Sequence, residues 1–130
     1  MSLETMGARK KLGSRGEAAV AAYLQEHGFT ICCLNYASRL GEVDVIAQGR
    51  DVRVFVEVKT RVCEQVPLSA LVNYPKQRKI IKTALQYNLV NPPVRECSYR
   101  FDVALVVWDG NSPVVNYIPN AFVPSGEEYL

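Results

Sequence analysis

The chain has 130 residues, 48% hydrophobic and 22% charged, with 15 Lys+Arg against 13 Asp+Glu and a formal net charge of +2. That length carries one core without a metal or disulfide staple, and the composition excludes a disordered or fibrous chain. The mild charge names no polyanionic partner by itself, the single histidine, His27, excludes multi-histidine sites, and Cys32, Cys33, Cys63 and Cys97 lack the C-x-x-C spacing of a zinc knuckle.

Residues 1–12, with Arg9, Lys10 and Lys11, read as a mobile basic arm without the apolar stretch of a signal peptide. Ser14 and Glu17 then form an S-x-x-E capping box that opens a helix. Ala19, Val20, Tyr23 and Leu24 make its apolar stripe, and His27-Gly28 ends it. Phe29 to Tyr36 reads as a first strand. In the next segment Val43, Val45 and Ala47 alternate with Glu42, Asp44 and Ile46. After a hairpin-like connection at Gln48-Gly49-Arg50-Asp51, Val52, Val54, Val56 and Val58 alternate with Arg53, Phe55, Glu57 and Lys59, a strand with one wholly buried face.

Residues 60–73 read as a loop broken by Pro67. A second helix starts near Asn73 to Pro75, with Ile80, Ile81, Ala84, Leu85 and Leu89 as its stripe and Asn91-Pro92-Pro93 as its stop. Arg100 to Trp108 reads as a central, doubly buried strand, and Asp109-Gly110-Asn111 turns it into a short last strand, Val114 to Ile118. The order α-β-β-β-α-β-β predicts a mixed sheet of about five strands with a right-handed parallel crossover, which is α/β architecture. One domain over 13–118 and a C-terminal tail, 119–130, follow. The longest apolar run, Val103 to Trp108, is far short of the ~20 residues of a spanning helix. A cytoplasmic protein with reduced cysteines is expected.

Placing the valines of the two central strands on one side leaves Asp44, Phe55, Glu57 and Lys59 together on the other. A one-residue slip would bury Asp44 and expose Val45, so burial selects this parity. It leaves the register open: Asp44 stands opposite Phe55 or opposite Glu57, with the two carboxylates within about 4.5–8 Å at Cα. Two such carboxylates can share a hard cation such as Mg²⁺, which keeps its other positions for water and phosphate. Glu57 and Lys59, two apart on one strand, lie about 6.5–7 Å apart. The ammonium then stands beside a metal, where it can hold a water or offset charge on a phosphate. Phosphodiester hydrolysis needs these parts and no histidine. A bare Glu-x-Lys is otherwise a solvated ion pair worth under about 1 kcal/mol.

Glu17 has two readings, the closing residue of the capping box or a contact to this site. Lys76, Arg78, Lys79 and Lys82 gather in the first turns of the second helix, where they oppose its dipole unless an anion is near. A phosphate backbone and a simple solvated basic face both account for them. Arg61 and Arg15 join them as candidate nucleic-acid contacts, and Arg9, Lys10 and Lys11 are a second phosphate-contacting arm or an ordinary basic tail. Asp102 reads as paired with Arg100 or a backbone amide, His27 as a helix-end residue, and Trp108, Tyr23 and Phe101 as core.

At Gly41-Glu42-Val43-Asp44-Val45-Ile46-Ala47 and Val54-Phe55-Val56-Glu57-Val58-Lys59-Thr60-Arg61 the sequence resembles the YraN-type family of small bacterial proteins. Gly16-Glu17-Ala18, Ala21-Ala22-Tyr23-Leu24, Lys76-Gln77 and Arg100-Phe101-Asp102-Val103 extend the likeness over about residues 13–118. That family in turn resembles the restriction-endonuclease-like superfamily, with its three-layer α/β/α fold and PD-(D/E)-x-K site. Within it, archaeal Holliday-junction resolvases carry the nearest arrangement, which falls on Glu17, Asp44, Glu57 and Lys59. Val43 stands where a proline precedes the aspartate in that motif.

The resemblance implies a Mg²⁺- or Mn²⁺-dependent endonuclease. Asp44 and Glu57 would bind the metal with the Val58 carbonyl, Lys59 would position the water, and Glu17 would assist. With no specificity domain attached, it would read DNA shape such as branches or junctions, and symmetric junction cleavage would need a homodimer. A non-catalytic nucleic-acid-binding module on the same fold is the alternative, and a protein-interaction scaffold is a third.

Overall fold

The computed structural model describes residues 3–61 and 72–129. The first helix, α1, runs from Leu3 to Glu26. Ser14 therefore lies inside it, and the expected N-cap and capping box are not formed there. Between Leu3 and Leu12 the chain is rich in Leu, Met, Ala, Arg, Lys and Glu, all good helix formers. Gly7 and Gly13 each cost only about 1 kcal/mol against alanine, so the helix propagates through them.

Five strands follow, β1 (Thr30–Ser38), β2 (Gly41–Gln48), β3 (Val52–Arg61), β4 (Ser98–Asp109) and β5 (Ser112–Phe122), with the second helix, α2 (Tyr74–Val90), between β3 and β4. They form one mixed sheet in the order β1-β2-β3-β4-β5. All neighbours are antiparallel except β3 and β4, which run parallel as the helical crossover requires. β3 continues through Thr60 and Arg61, the first two residues of the expected loop; Cys63 and Pro67 lie outside the described residues. No described helix is long and apolar enough to cross a membrane.

The helices cover opposite faces of the sheet. Val20 and Leu24 of α1 bury against Val45, Ala47, Val54, Val56, Ala104 and Val106. Ile80, Ile81, Ala84 and Tyr87 of α2 bury against Ile46, Phe55, Phe101, Val103 and Leu105. This is a three-layer α/β/α arrangement consistent with the restriction-endonuclease-like architecture.

Two apolar placements differ from the sequence pattern. Val43 packs in the α2 layer with Ile46, not beside Val45. Asn35, with φ 54°, breaks the alternation of β1 between the Leu34–Val45 and Tyr36–Val43 pairs, and Tyr36 packs against that same layer. Leu89 is 84% exposed, and Tyr87 takes its place in the stripe. Two residues of helix are about 200° of rotation, so a helix that buries Tyr87 turns Leu89 outward.

Arg53, expected on the polar face, is buried. Its guanidinium donates to Gln48 Oε1 at 2.8 Å, Asn88 Oδ1 at 2.9 Å and the Asn91 carbonyl at 2.7 Å. It thereby ties the C-terminal end of α2, where exposed carbonyls favour a cation, to the central hairpin. Asp102 is fully buried and accepts from Arg100 Nε at 2.9 Å, the Asn120 amide at 2.8 Å and the Tyr117 hydroxyl, in line with the sequence reading. The chain past residue 118 also belongs to the fold. Phe122 is buried with its ring stacked on Phe101 at 5.5 Å, and a 3-10 turn at Glu127–Tyr129 follows.

Candidate active site

In a parallel crossover the helix N-terminus returns over the carboxyl end of the strand it follows, the usual place for ligands in α/β sheets. Here that end of β3 carries Glu57 and Lys59, and the first turn of α2 carries Lys76. The β2–β3 register pairs Val45 with Val56 and Ile46 with Phe55, so one step further sets Asp44 alongside Glu57. This settles the alternative that parity had left open. The backbone ladder stops at that point, and the Val58 amide donates instead to Asp44 Oδ2 at 2.8 Å.

Two glycines permit the close approach of both helices. At Gly16 a Cβ would stand 2.7 Å from the Thr60 hydroxyl, so glycine lets α1 lie against β3 and carries Glu17 into the carboxylate cluster. At Gly41, with φ +153°, a Cβ would meet Thr83 Oγ1 at 3.0 Å and Lys79 Cβ at 3.3 Å, so glycine lets β2 begin directly under α2. Between the start of β2, Glu57 of β3 and the first turns of α2 opens a cavity of about 440 Å³ lined by Gly41, Glu42, Asp44, Glu57, Asn73, Pro75, Lys76, Lys79 and Ile80.

The charges in this cavity are unevenly matched. Glu57 is buried, and its Oε1 is approached by Lys76 Nζ at 2.7 Å and by Lys59 Nζ at 3.4 Å. Burial, and then the negative charge of Glu57, push the Asp44 carboxyl up to about 7, against the lowering effect of the Val58 amide. Burial also raises Glu17, with the charges of Glu42 and Glu57 adding to it and a hydrogen bond with Asn35 opposing. Lys59 is lowered, because burial and the nearby Lys76 ammonium outweigh Glu57. Burial alone would lower Lys76 as well, but its bond to Glu57 and that carboxylate's charge raise it.

Asp44, Glu57 and Lys59 are thus brought together as the parity argument expects, and of the two readings open for Glu17 the structure places it beside this cluster and not in a cap. Lys79 lines the cavity, whereas Lys82 does not. Arg78 is engaged elsewhere, 3.9 Å from Glu127 and over the Tyr74 ring. Arg15 lies 4.4 Å over the Trp108 ring. The side chains of Arg9, Lys10, Lys11 and Arg61 lie outside the described residues.

Sequence reasoning missed Glu42 and Asn35, which act on Glu17, and it read Lys76 only as a candidate nucleic-acid contact and not as the partner of Glu57. The signal for Lys76 was available, since the predicted crossover places the first turn of α2 over Glu57.

Among the described residues no three His, Cys, Asp or Glu side chains are gathered closely enough to hold an ion by themselves. The donors to hand are the Asp44 and Glu57 carboxylates and the backbone carbonyls beside them, all hard oxygens. That set suits a cation such as Mg²⁺, which takes one or two carboxylates and fills its remaining positions with water and phosphate. Asp44 in particular, held up to about 7 first by burial and then by the charge of Glu57, is a carboxylate that a cation would favour in its ionised form.

A profile of the uncharacterised protein family UPF0102 matches residues 16–106, a span that includes all four clustered residues. A UPF0102 protein of Geobacter metallireducens is 40% identical over 114 residues, covering 87% of this chain and 93% of its own. One from Trichlorobacter lovleyi is 43% identical over 114 residues, covering 85% and 89%. One from Myxococcus xanthus is 37% identical over 115 residues, covering 88% and 90%. Matched along most of its length to relatives of nearly the same size, the chain belongs to the UPF0102, or YraN-like, family.

Proposed function

We propose that this protein is a Mg²⁺- or Mn²⁺-dependent endonuclease that hydrolyses DNA phosphodiesters and reads branched or junction DNA by shape. The observation that carries the reading is the placement of Asp44 beside Glu57 at one cavity, with Lys59 on the Glu57 strand and its Nζ 3.4 Å from Glu57 Oε1. Asp44, Glu57 and the Val58 carbonyl would hold the cation, which when bound would offset phosphate charge and acidify a water. Lys59, whose burial makes its proton easier to give up, would orient that water and hold or pass a proton at Nζ. Glu17 and Asn35 would orient the cluster from the α1 side. Lys79 at the rim supplies cationic surface for a phosphate backbone.

A cavity of about 440 Å³ has room for a phosphodiester with its flanking sugars, and the Lys76 and Lys79 side chains that line it suit backbone contacts, which carry no base sequence. Symmetric cuts across a junction would then take two copies of the chain.

The test is incubation of the pure protein with labelled linear, flap and four-way-junction DNA in Mg²⁺, Mn²⁺ or EDTA. Lys59→Ala and Glu57→Gln serve as controls. Metal-dependent cutting that both variants lose by a factor of about 10²–10³ or more is the expected result. Cutting that survives in either variant removes the assignment. A salt-sensitive shift without any cutting would replace it with a binding module that needs no divalent ion.

A further inference from the structure

Lys76 is placed unlike the other basic side chains of α2. Its Nζ lies 2.7 Å from Glu57 Oε1, closer than the 3.4 Å at which Lys59 reaches the same oxygen. The Glu57 side chain is 6% exposed and rooted on the central strand, whereas that of Lys76 is 45% exposed at the rim of the cavity, on a flexible four-carbon stem. One partner is fixed and the other has solvent to move into. The helix does not hold the ammonium in place either. Lys76 sits in the first turn of α2, whose amides repel a cation, and its own amide is occupied by the Asn73 cap at 3.0 Å. The attraction that keeps Lys76 inward comes from the carboxylates.

We propose that Lys76 is a tethered competitor for the cation site. Its ammonium neutralises Glu57 in the absence of metal and yields that oxygen to a divalent cation. The displaced ammonium then pairs with the phosphate backbone of the nucleic acid. The inference rests on the metal-binding reading of Asp44 and Glu57 given above. A cation entering there competes with the Lys76 ammonium for the Glu57 carboxylate and meets a positive charge close by. Phosphate lowers that barrier by giving the ammonium another anion. Metal and nucleic acid therefore favour one another, each raising the other's affinity by the same factor. The protein alone holds its cation weakly, and the protein on its substrate holds it well.

The experiment is Mn²⁺ binding to the full chain, read from the free-ion electron paramagnetic resonance signal. Wild type is compared with Lys76→Met, Lys76→Gln and Lys82→Met, each first checked for a native circular dichroism spectrum and cooperative unfolding. Lys82 lies on the same helix, away from the cavity lining, and controls for the loss of one positive charge. Lys76→Met and Lys76→Gln should bind Mn²⁺ about tenfold more tightly than wild type, equivalent to about 1.4 kcal/mol. Lys82→Met should stay within about twofold, as expected of a screened, more distant charge. Uncleavable junction DNA should tighten Mn²⁺ binding to wild type more than to either Lys76 variant. Lys76 variants that bind no tighter than a measurably binding wild type would overturn the competitor and leave the metal site standing. No Mn²⁺ binding by any of the four proteins at millimolar ion would overturn both.

Discussion

Asp44→Asn should make the protein more stable at mildly alkaline pH and less so, or not at all, in acid. The Asp44 carboxyl is pushed from 3.8 up to about 7, first by burial and then by the charge of Glu57. A raised carboxyl binds its proton more tightly in the folded than in the unfolded state. Its contribution is therefore intact below about pH 4 and is lost as pH rises through about 7. A difference of about 3 pH units at about 1.4 kcal/mol each sets an upper bound near 4 kcal/mol on the cost at pH 8. Partial exposure reduces this, and asparagine can still accept the Val58 amide, so a gain of about 2–3 kcal/mol at pH 8 is expected, against near zero at pH 4. Urea unfolding of both proteins in EDTA, from pH 4 to pH 8, measures it. A variant less stable than wild type at pH 8, or a difference that does not change with pH, would refute the reasoning. Excess Mg²⁺ should then stabilise wild type and leave Asp44→Asn unmoved, because a ligand stabilises only the state that binds it.

Asp102→Ala should cost about 3–5 kcal/mol in thermal unfolding, since it strands the Arg100 guanidinium and Tyr117 hydroxyl that the buried carboxylate now satisfies. On α2, Ile81→Ala should cost about 2–4 kcal/mol, while Leu89→Ala, two turns on and exposed, should stay within about 0.5 kcal/mol in the same denaturant titration. Gly16→Val should cost about 1–3 kcal/mol by driving α1 off Thr60. If the proposed function holds, it should also slow cleavage by moving Glu17, which a cleavage assay at a temperature where the variant is folded would read.

The order of elements was legible because each strand and helix announces its own period. The valines at 52, 54, 56 and 58 can be satisfied by one face of a strand, and a doubly apolar run such as Val103 to Trp108 by a place in the middle of a sheet. Parity was legible for the same reason, since a slip would bury Asp44. Register was not, because moving the pairing by two residues leaves every valine on its face and changes only whether Phe55 or Glu57 meets Asp44. That choice belongs to the hairpin between Gln48 and Val52, whose closing bond runs from the Gly49 amide to the Val52 carbonyl at 2.7 Å. Val43 was misplaced because strict alternation was carried through Asp44, whereas the neighbouring strand has a positive-φ residue, Asn35, between the Leu34–Val45 and Tyr36–Val43 pairs. Ser14 was misread as a cap because capping signals are local, whereas whether a helix continues depends on the whole segment upstream. Arg53 shows the opposite failure: charge suggested the surface, but Gln48 at the end of β2 and Asn88 and Asn91 at the end of α2 supply three acceptors for it.

The candidate site follows a different logic from these buried pairs. Arg53 and Asp102 are structural charges, and each is matched by partners that satisfy it where it stands. At the cavity the match fails. The ammonium groups within 4 Å of a site carboxylate, among the described residues, both lie on Glu57, while Asp44 keeps the Val58 amide and a proton held to about pH 7. A network selected for stability alone would have given Lys59 or Lys76 to each carboxylate, or replaced Asp44 with a neutral residue of the same shape. Unequal pairing that costs stability is the condition expected of groups kept for a ligand. The mismatch is also of one sign, an excess of carboxylate around Asp44, and a divalent cation is the ligand that would correct it.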